Sequence, residues 1–208
     1  MDINCVFNYF PELNAQQRQH FEKMHALYVD WNAKINVISR KDMDNFYLHH
    51  VLHSLAIAKY FELLPGMKVM DVGTGGGFPG IPLAILYPQT DFLLVDSVGK
   101  KTIVAQAVSE ALELNNVRVV NERAEKIKGI FDVVVSRAVT QLPEMVNWTG
   151  QKLRAKGDIE AGGIIYLKGG DIKDELKALP RHWKTRQTPI SKWFCEAYFE
   201  TKSVVHIF

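Results

Sequence analysis

The length and composition of this chain are those of a single globular domain carrying some additional structure. Its 208 residues include 25 Lys and Arg and 23 Asp and Glu, for a net charge of +2, and 47% of them are hydrophobic. The two cysteines, Cys5 and Cys195, lie too far apart for a C-x-x-C pair, so neither a disulfide framework nor a zinc site is expected. The sequence shows no signal-peptide pattern and no apolar run long enough to span a bilayer, which predicts a cytoplasmic protein without membrane contact.

The small positive charge is unevenly distributed. Residues 151–208 hold 11 Lys and Arg against 7 Asp and Glu, whereas the two preceding thirds are slightly acidic. A basic last third favours a polyanionic partner, although an ordinary solvated basic face explains it equally well.

Residues 1–65 are predicted to form a helical extension, which we call the annex. A first helix follows Asn14, which with Gln17 matches a capping box, and apolar residues then recur every three and four positions as far as Ile35. A second helical stretch begins near Asp42 and ends at the Pro-Gly pair of residues 65–66.

The second stretch of the annex contains three histidines, His49, His50 and His53. They lack an H-E-x-x-H pattern and an obvious third ligand, so no metal is expected there. We expect these side chains to line the mouth of a pocket or to face solvent.

Strands and helices alternate from residue 66 onward. This alternation predicts an α/β fold with a doubly wound, mostly parallel sheet over residues 66–208, and a ligand site at the carboxyl ends of its strands. Strand-like stretches around 183–190 and 198–207 close the chain with no helix after the second, so they are expected to add an antiparallel hairpin at the sheet edge. The predicted strands of the parallel part are 67–72, 92–96, 117–120, 131–135 and 164–167.

The first strand runs into a glycine-rich turn, DVGTGGGFPG at residues 71–80. Glycines let the backbone turn sharply and approach a ligand without a Cβ atom in the way, and Pro79 suits the start of a helix. Strand, glycine turn and helix together predict a cradle for a nucleotide-like ligand.

Two registers of this turn are possible. Gly75, Gly77 and Gly80 satisfy the G-x-G-x-x-G spacing of NAD sites, whereas Asp71, Gly73, Gly75 and Gly77 satisfy the D-x-G-x-G-x-G pattern typical of class I S-adenosylmethionine (SAM) methyltransferases. An acid at the strand end would repel a pyrophosphate but attract the ammonium group of SAM. Asp71 therefore favours SAM, and the NAD register stays open.

Two further positions fit a bound nucleoside. Asp96 ends the second strand, where a carboxylate accepts hydrogen bonds from ribose hydroxyls of either cofactor. Ala124 and Glu125 follow the third strand, in the loop that flanks adenine in methyltransferase folds.

The end of the fourth strand indicates which atom is methylated. Ser136, Arg137 and Ala138 stand where amino-group methyltransferases of nucleic acids carry (D/N)-P-P-(Y/F), and no cysteine nucleophile ends a strand nearby. The remaining acceptor is an intrinsically nucleophilic atom such as N7 of guanine, which attacks directly and needs no general base.

The chain resembles the RsmG (GidB) family of bacterial 16S rRNA guanine-N7 methyltransferases over nearly its full length. The resemblance implies a class I methyltransferase fold with an N-terminal helical extension, SAM as methyl donor, and a guanine of the small ribosomal subunit as target. We also expect a monomer. The matching segments are Trp31-Asn32, Ile35-Asn36, His50, Ser54-Leu55, residues 71–85, residues 96–101, Ser136-Arg137-Ala138 and Leu167-Lys168-Gly169.

The resemblance also assigns site residues. The SAM contacts of the family fall on Gly73, Phe78, Ala124, Glu125 and Arg137, with Asp96 as the ribose acid; Asp71, Gly75 and Gly77 complete the predicted cofactor site. Arg137 is also the predicted catalytic residue, in a positioning role. Basic side chains after the strand ends are expected to hold RNA phosphates beside the target base; they are Lys100, Lys101, Arg123 and Lys168.

The sequence departs from the family at Gly76, where many members have proline, and at His53, where many have aspartate. Two alternatives remain at this point. One is an NAD-dependent oxidoreductase, and the other is a ribosome-binding factor that keeps the fold without turnover.

Overall fold

A seven-stranded sheet forms the centre of the molecule. The computed structural model describes residues 2–155, 157–158 and 160–208. The strands are β1 (Lys68–Val72), β2 (Asp91–Asp96), β3 (Val117–Asn121), β4 (Val133–Arg137), β5 (Gly163–Gly169), β6 (Thr185–Pro189) and β7 (Lys202–Ile207). Their order across the sheet is β3-β2-β1-β4-β5-β7-β6.

The first five strands are parallel, and the last two run antiparallel at one edge. β7 pairs antiparallel with β5, from Ile164 opposite Ile207 to Gly169 opposite Lys202, and β6 pairs antiparallel with β7. The predicted doubly wound sheet and its terminal edge pair are both confirmed. Because strand order reverses between β1 and β4, the carboxyl ends of these strands open the crevice in which ligands bind in such sheets.

Seven α-helices connect and cover the strands in the described part of the chain: α1 (Asn4–Tyr9), α2 (Ala15–Asn32), α3 (His53–Tyr60), α4 (Gly80–Leu86), α5 (Gly99–Ala111), α6 (Leu142–Thr149) and α7 (Lys173–Lys177). Short 3-10 turns lie at Arg40–Asn45, Ala124–Lys126, Gly150–Lys152, Ile190–Lys192 and Ala197–Phe199, and Phe46–Leu52 is a π-helix. In these residues no helix combines the length and the apolar character needed to cross a membrane.

The capping box at the start of α2 is confirmed. The Asn14 side chain accepts a hydrogen bond from the Gln17 N–H (2.9 Å), and the Gln17 side chain accepts one from the Asn14 N–H (3.0 Å). The amide of Gln17 also donates to the carbonyls of Ile85 and Leu86 at the end of α4. The same residue therefore starts the annex helix and attaches it to α4 of the sheet domain.

The second helical stretch of the annex differs from the prediction. It is divided into the 3-10 turn at Arg40–Asn45, the π-helix at Phe46–Leu52 and α3, and it ends at Tyr60 because Phe61 is already extended (φ −139°, ψ 127°). The short helix α1 was not predicted, and of its residues only Val6 is buried.

The annex and the sheet share one hydrophobic core. Phe21, Tyr28 and Phe46 of the annex lie in the same buried cluster as Ile81 of α4 and Val133 of β4. A second cluster fills the opposite face of the sheet beneath α6 and α7. The central strands are thus covered on both faces, and their middle residues are accordingly apolar and buried, as at Val133–Val135 of β4 and Ile164–Leu167 of β5.

Candidate functional site

A cavity of about 490 Å³ opens at the carboxyl ends of β1, β2 and β4. It lies where the topology predicts a ligand site. Seven of the residues predicted from the sequence line it: Gly73, Asp96, Lys101, Arg123, Ala124, Glu125 and Arg137. Val72, Val95, Ser97, Val98, Glu122, Ala138, Val139 and Trp148 complete the lining.

The glycine turn forms one wall of this cavity. Gly73, Gly75 and Gly77 have φ values of +67°, +57° and +110°, which residues with a Cβ atom rarely adopt. A Cβ added at Gly73 would collide with the side chain of Val139, so the turn leaves no space for a side chain at that position. Gly75 and Gly77 shape the turn without lining the cavity.

Asp71 lies beneath the glycine turn and does not line the cavity. Its side chain is fully buried, and its Oδ2 atom accepts hydrogen bonds from the Thr74 hydroxyl (2.6 Å) and the Gly80 N–H (2.8 Å). Burial raises the pKa of this carboxyl to about 7, although both hydrogen bonds oppose the shift. We expected Asp71 to attract the ammonium group of SAM; its Oδ2 atom is occupied by these two hydrogen bonds, which connect the end of β1 to the turn and to the start of α4.

Asp96 is held at the cavity surface by two backbone donors. Its Oδ2 accepts a hydrogen bond from the Gly75 N–H (2.9 Å), and its Oδ1 accepts one from the Val98 N–H (2.8 Å). Each carboxylate oxygen retains a further lone pair. The carboxylate is thus oriented before any ligand arrives and can still accept hydrogen bonds from a pair of hydroxyls.

The far end of the cavity combines a small, an acidic and an aromatic residue. Ala124 is buried at the start of the 3-10 turn that follows β3, Glu125 is exposed beside it, and the half-buried ring of Trp148 reaches the cavity from α6. Sequence reasoning missed Trp148, because nothing in the helical pattern of α6 distinguishes a ring at a cavity from one in the core.

Arg137 is the last residue of β4, and its guanidinium group lines the cavity. Its Nη1 donates to the His49 carbonyl and its Nη2 to the Nδ1 atom of His50, both at 3.1 Å, and its Cζ lies 5.2 Å from the centroid of the Phe78 ring. Burial lowers the pKa of Arg137, and the neighbouring Tyr198 and Asp71 act in the opposite direction. Within the described residues the guanidinium makes no ion pair with a carboxylate, so it has N–H donors left for an anionic ligand.

Phe78 is buried behind the glycine turn and does not line the cavity. Its ring packs against the rings of Tyr28, Phe46 and His50, all from the annex, with centroid separations of 4.9, 5.9 and 5.4 Å. The buried Tyr28 hydroxyl donates to the Gly76 carbonyl at 2.6 Å. The annex therefore supports the back of the glycine turn.

The loop after β4 is strained and tightly held. Ala138 has a φ of +52°, which is uncommon for a residue other than glycine. The buried Tyr166 hydroxyl accepts hydrogen bonds from the N–H groups of Val139 and Thr140 and donates to the Thr140 carbonyl, each at 2.8 Å. Strain of this kind persists where the surroundings hold the backbone in place, and it is concentrated at functional sites.

The four predicted RNA-binding residues differ in their surroundings. Arg123 and Lys101 line the cavity, and Lys100 is exposed on α5 outside it. Lys168 instead has its Nζ atom 2.8 Å from Glu175 and donates to the Thr140 carbonyl at 2.8 Å. The ammonium group of Lys168 is thus committed to holding the loop after β4, which the sequence could not show because Glu175 lies on a different element.

The three histidines of the annex do not lie where we expected them. His53 is buried, and His49 and His50 are half-buried around Asp42, so the expectation that they line the pocket mouth or face solvent is wrong. In the described part of the chain no group of His, Cys, Asp and Glu side chains is arranged to hold a metal ion.

Comparison with known proteins identifies the family. The model of the GidB family, described as rRNA small subunit methyltransferase G, matches residues 17–197. The chain belongs to the GidB family. Named members of that family include the ribosomal RNA small subunit methyltransferase G of Flavobacterium psychrophilum, which is 55% identical over 97% of this chain and 96% of that protein. The protein of the same name from Porphyromonas gingivalis is 54% identical over 97% of this chain and 91% of its own length.

Solved structures confirm the predicted fold class. The precorrin-6y C5,15-methyltransferase of Geobacter metallireducens superimposes with a TM-score of 0.57 over 84% of this chain and 90% of its own, at 11% identity. At that identity the likeness concerns the fold alone. Membership in the GidB family decides between the two glycine registers in favour of the methyltransferase pattern, and the NAD alternative is not supported.

Proposed function

We propose that this chain transfers a methyl group from SAM to N7 of one guanine in 16S rRNA of the small ribosomal subunit. Membership in the GidB family supports the rRNA methyltransferase activity and SAM as the cofactor. The single observation that carries the proposal is the arrangement of Asp96, whose carboxylate is fixed by two backbone N–H groups at a cavity bounded by the glycine turn.

The residues of the cavity fit SAM at both of its ends. Asp96 would accept hydrogen bonds from the ribose hydroxyls, and Ala124, Glu125 and Trp148 would surround the adenine. At the other end Gly73 brings backbone close to the ligand, and the guanidinium of Arg137 would bind the carboxylate, which is the only anionic group of SAM. Phe78, Gly75 and Gly77 act indirectly in this proposal, by shaping and supporting the turn, and so does Asp71.

SAM supplies an electrophilic methyl group on a sulfonium. The protein's part is to align that group with the acceptor nitrogen, since N7 of guanine carries a free lone pair and loses no proton on methylation. The residues at the end of β4 agree with a site that needs no general base: the Ser136 hydroxyl is buried and donates to the Val72 carbonyl, and Arg137 is a cation. His50 lies behind Arg137 and outside the cavity lining.

The rim of the cavity would receive the RNA. Lys101 and Arg123 line the cavity and Lys100 lies beside Lys101 in the first turn of α5, so these cations would bind phosphates beside the target base. Lys168 would act on RNA binding indirectly, by holding the loop after β4 in place. We further propose that the protein acts in the cytoplasm, where its ribosomal substrate lies, and that it acts as a monomer. Sedimentation of the protein with and without small subunits tests the oligomeric state.

A methylation assay tests the proposed function. Small ribosomal subunits from cells lacking the gene are incubated with the protein and SAM labelled in its methyl group, and N7-methylguanine is mapped by borohydride reduction and aniline cleavage of the rRNA. We expect one cleavage site in 16S rRNA. No incorporation, or label at an atom other than N7 of guanine, would refute the proposal.

Two carboxylates of β2 provide a matched pair of variants. Asp96→Asn removes a charge at the cavity end of the strand and is expected to weaken SAM binding about tenfold, because charge-assisted hydrogen bonds are worth on the order of 1.5–3 kcal/mol. Asp91→Asn removes the same charge at the opposite, exposed end of the strand and should leave SAM binding unchanged. Calorimetry with SAM measures both.

A further inference from the structure

A chain of polar contacts leads from the surface of the annex to Arg137. The Oδ2 atom of Asp42 lies 2.6 Å from the Nε2 atom of His50, and the Nδ1 atom of His50 lies 3.1 Å from the Nη2 atom of Arg137. We call Asp42, His50 and Arg137 the relay. Its outer end is partly exposed, since the Asp42 side chain retains 32% of its accessible surface, and its inner end lines the cavity.

The hydrogen-bond directions in the relay follow from its chemistry. A guanidinium nitrogen can only donate, so Nδ1 of His50 accepts the hydrogen bond from Arg137. The proton of the neutral ring is therefore on Nε2, which donates to Asp42. Burial and the positive charge of Arg137 lower the pKa of His50 to about 4, although Asp42 opposes the shift, so the ring is neutral at physiological pH. Asp42 thus selects the tautomer that can accept from Arg137.

The local backbone supports this arrangement. His49 and His50 lie in the π-helix Phe46–Leu52, and they offer Arg137 two acceptors in a row, the His49 carbonyl and the His50 ring. The π-helix is rare and is frequently found at functional sites. On its other side the guanidinium faces the Phe78 ring, so it is held between the annex and the glycine turn.

We propose that Asp42 and His50 are positioning residues that act through Arg137, holding its guanidinium in the direction needed to bind the ligand in the cavity. This inference rests on the proposed function, in which Arg137 binds the carboxylate of SAM. When the His50 ring is removed, the Arg137 guanidinium keeps its charge but loses one of its two fixed acceptors. The removal should therefore lower ligand affinity more than it lowers the stability of the fold.

A double-mutant cycle tests the relay, with the dissociation constant of SAM measured by calorimetry. His50→Phe keeps a ring of similar volume and removes both nitrogens, and we expect it to weaken SAM binding about tenfold. In an Arg137→Lys background, where the fork-shaped guanidinium is absent, the same change should alter the dissociation constant less than twofold, because residues in one network are not additive. His50→Asn, whose amide oxygen can replace the Nδ1 acceptor, should recover most of the affinity.

His53→Phe is the matched control. His53 is also a buried histidine of the annex, but its Nδ1 atom lies near the Tyr198 hydroxyl (3.3 Å) and its side chain makes no hydrogen bond to Arg137. We expect its replacement to change SAM affinity less than twofold in either background. If His50→Phe does not fold, Asp42→Ala takes its place in the cycle, since that side chain is partly exposed and alanine removes the acceptor for His50 Nε2.

The possible failures are distinguishable. If His50→Phe leaves SAM affinity unchanged, or lowers it equally in the wild-type and Arg137→Lys backgrounds, the relay is refuted while the proposed function stands. If Arg137→Lys binds SAM as tightly as the wild type and methylates rRNA normally, the role of Arg137 in the proposed function is refuted and the relay with it.

Discussion

Removal of the Tyr28 hydroxyl tests whether the annex supports the cofactor turn. This buried hydroxyl donates to the Gly76 carbonyl at 2.6 Å, so Tyr28→Phe leaves a carbonyl of the turn without its partner. An unsatisfied buried acceptor costs roughly 1–3 kcal/mol, and we expect the free energy of unfolding to fall by about that amount. If part of the cost is relieved by movement of the turn, SAM affinity should fall about fivefold, equivalent to ~1 kcal/mol. Urea unfolding and calorimetry with SAM measure the two effects.

Tyr47→Phe is the control for this experiment. Its hydroxyl donates to the carbonyls of Phe21 and Glu22 in α2, at 2.9 and 3.3 Å, and not to a group of the turn. We expect a similar or smaller loss of stability with unchanged SAM affinity. If Tyr28→Phe leaves SAM affinity unchanged, or if both variants weaken it equally, the annex does not support the turn through this hydroxyl.

Three further predictions concern the turn and the annex. Burial raises the pKa of Asp71 to about 7, above the value of about 3.9 in an unfolded chain, so its contribution to stability is complete below pH 4 and is lost as the pH rises through 7. Relative to Asp71→Asn, the wild type should therefore lose on the order of 2 kcal/mol between pH 5 and pH 8 in urea unfolding, and a constant difference would contradict this. Gly73→Ala places a Cβ atom against Val139 at a φ of +67°, so SAM binding should fall more than tenfold in calorimetry, and near-normal affinity would refute the steric argument. A fragment of residues 66–208 should lack a cooperative thermal transition in circular dichroism, because removal of the annex exposes the apolar side chains of α4 and of the sheet that pack in the same core; cooperative unfolding would instead show that this part folds alone.

The features predicted correctly from the sequence depend on local patterns. The capping box of Asn14 and Gln17 is a four-residue signal, and the strand–helix alternation depends on periodicities shorter than ten residues. Asp96 could be predicted as a cavity residue because it ends the strand that follows the glycine turn, and the ends of neighbouring parallel strands meet at one edge of the sheet. Each of these features is visible within a single helix or strand, or in the order in which helices and strands follow one another along the chain.

The features that were missed depend on contacts between distant segments. Nothing near Lys168 in the sequence shows that Glu175 and Thr140 hold its ammonium group, and nothing near Asp71 shows that α4 covers it. The division of the second annex stretch into 3-10, π and α segments likewise has no local signal. The acceptors that the π-helix offers are used by Arg137, 87 residues away from His50.

The contact between α1 and the segment before β7 has a consequence for the folding kinetics. Phe194 packs against the rings of Tyr9 and Phe10, and the Cys195 N–H donates to the Tyr9 hydroxyl across 186 residues of chain. Such non-local contacts form only after a large loop has closed, which slows folding. Tyr198, whose hydroxyl lies 3.5 Å from the His49 carbonyl, belongs to the same late segment. During synthesis the contact of Tyr198 with the His49 carbonyl, which also accepts a hydrogen bond from Arg137, would thus form only after most of the chain has left the ribosome.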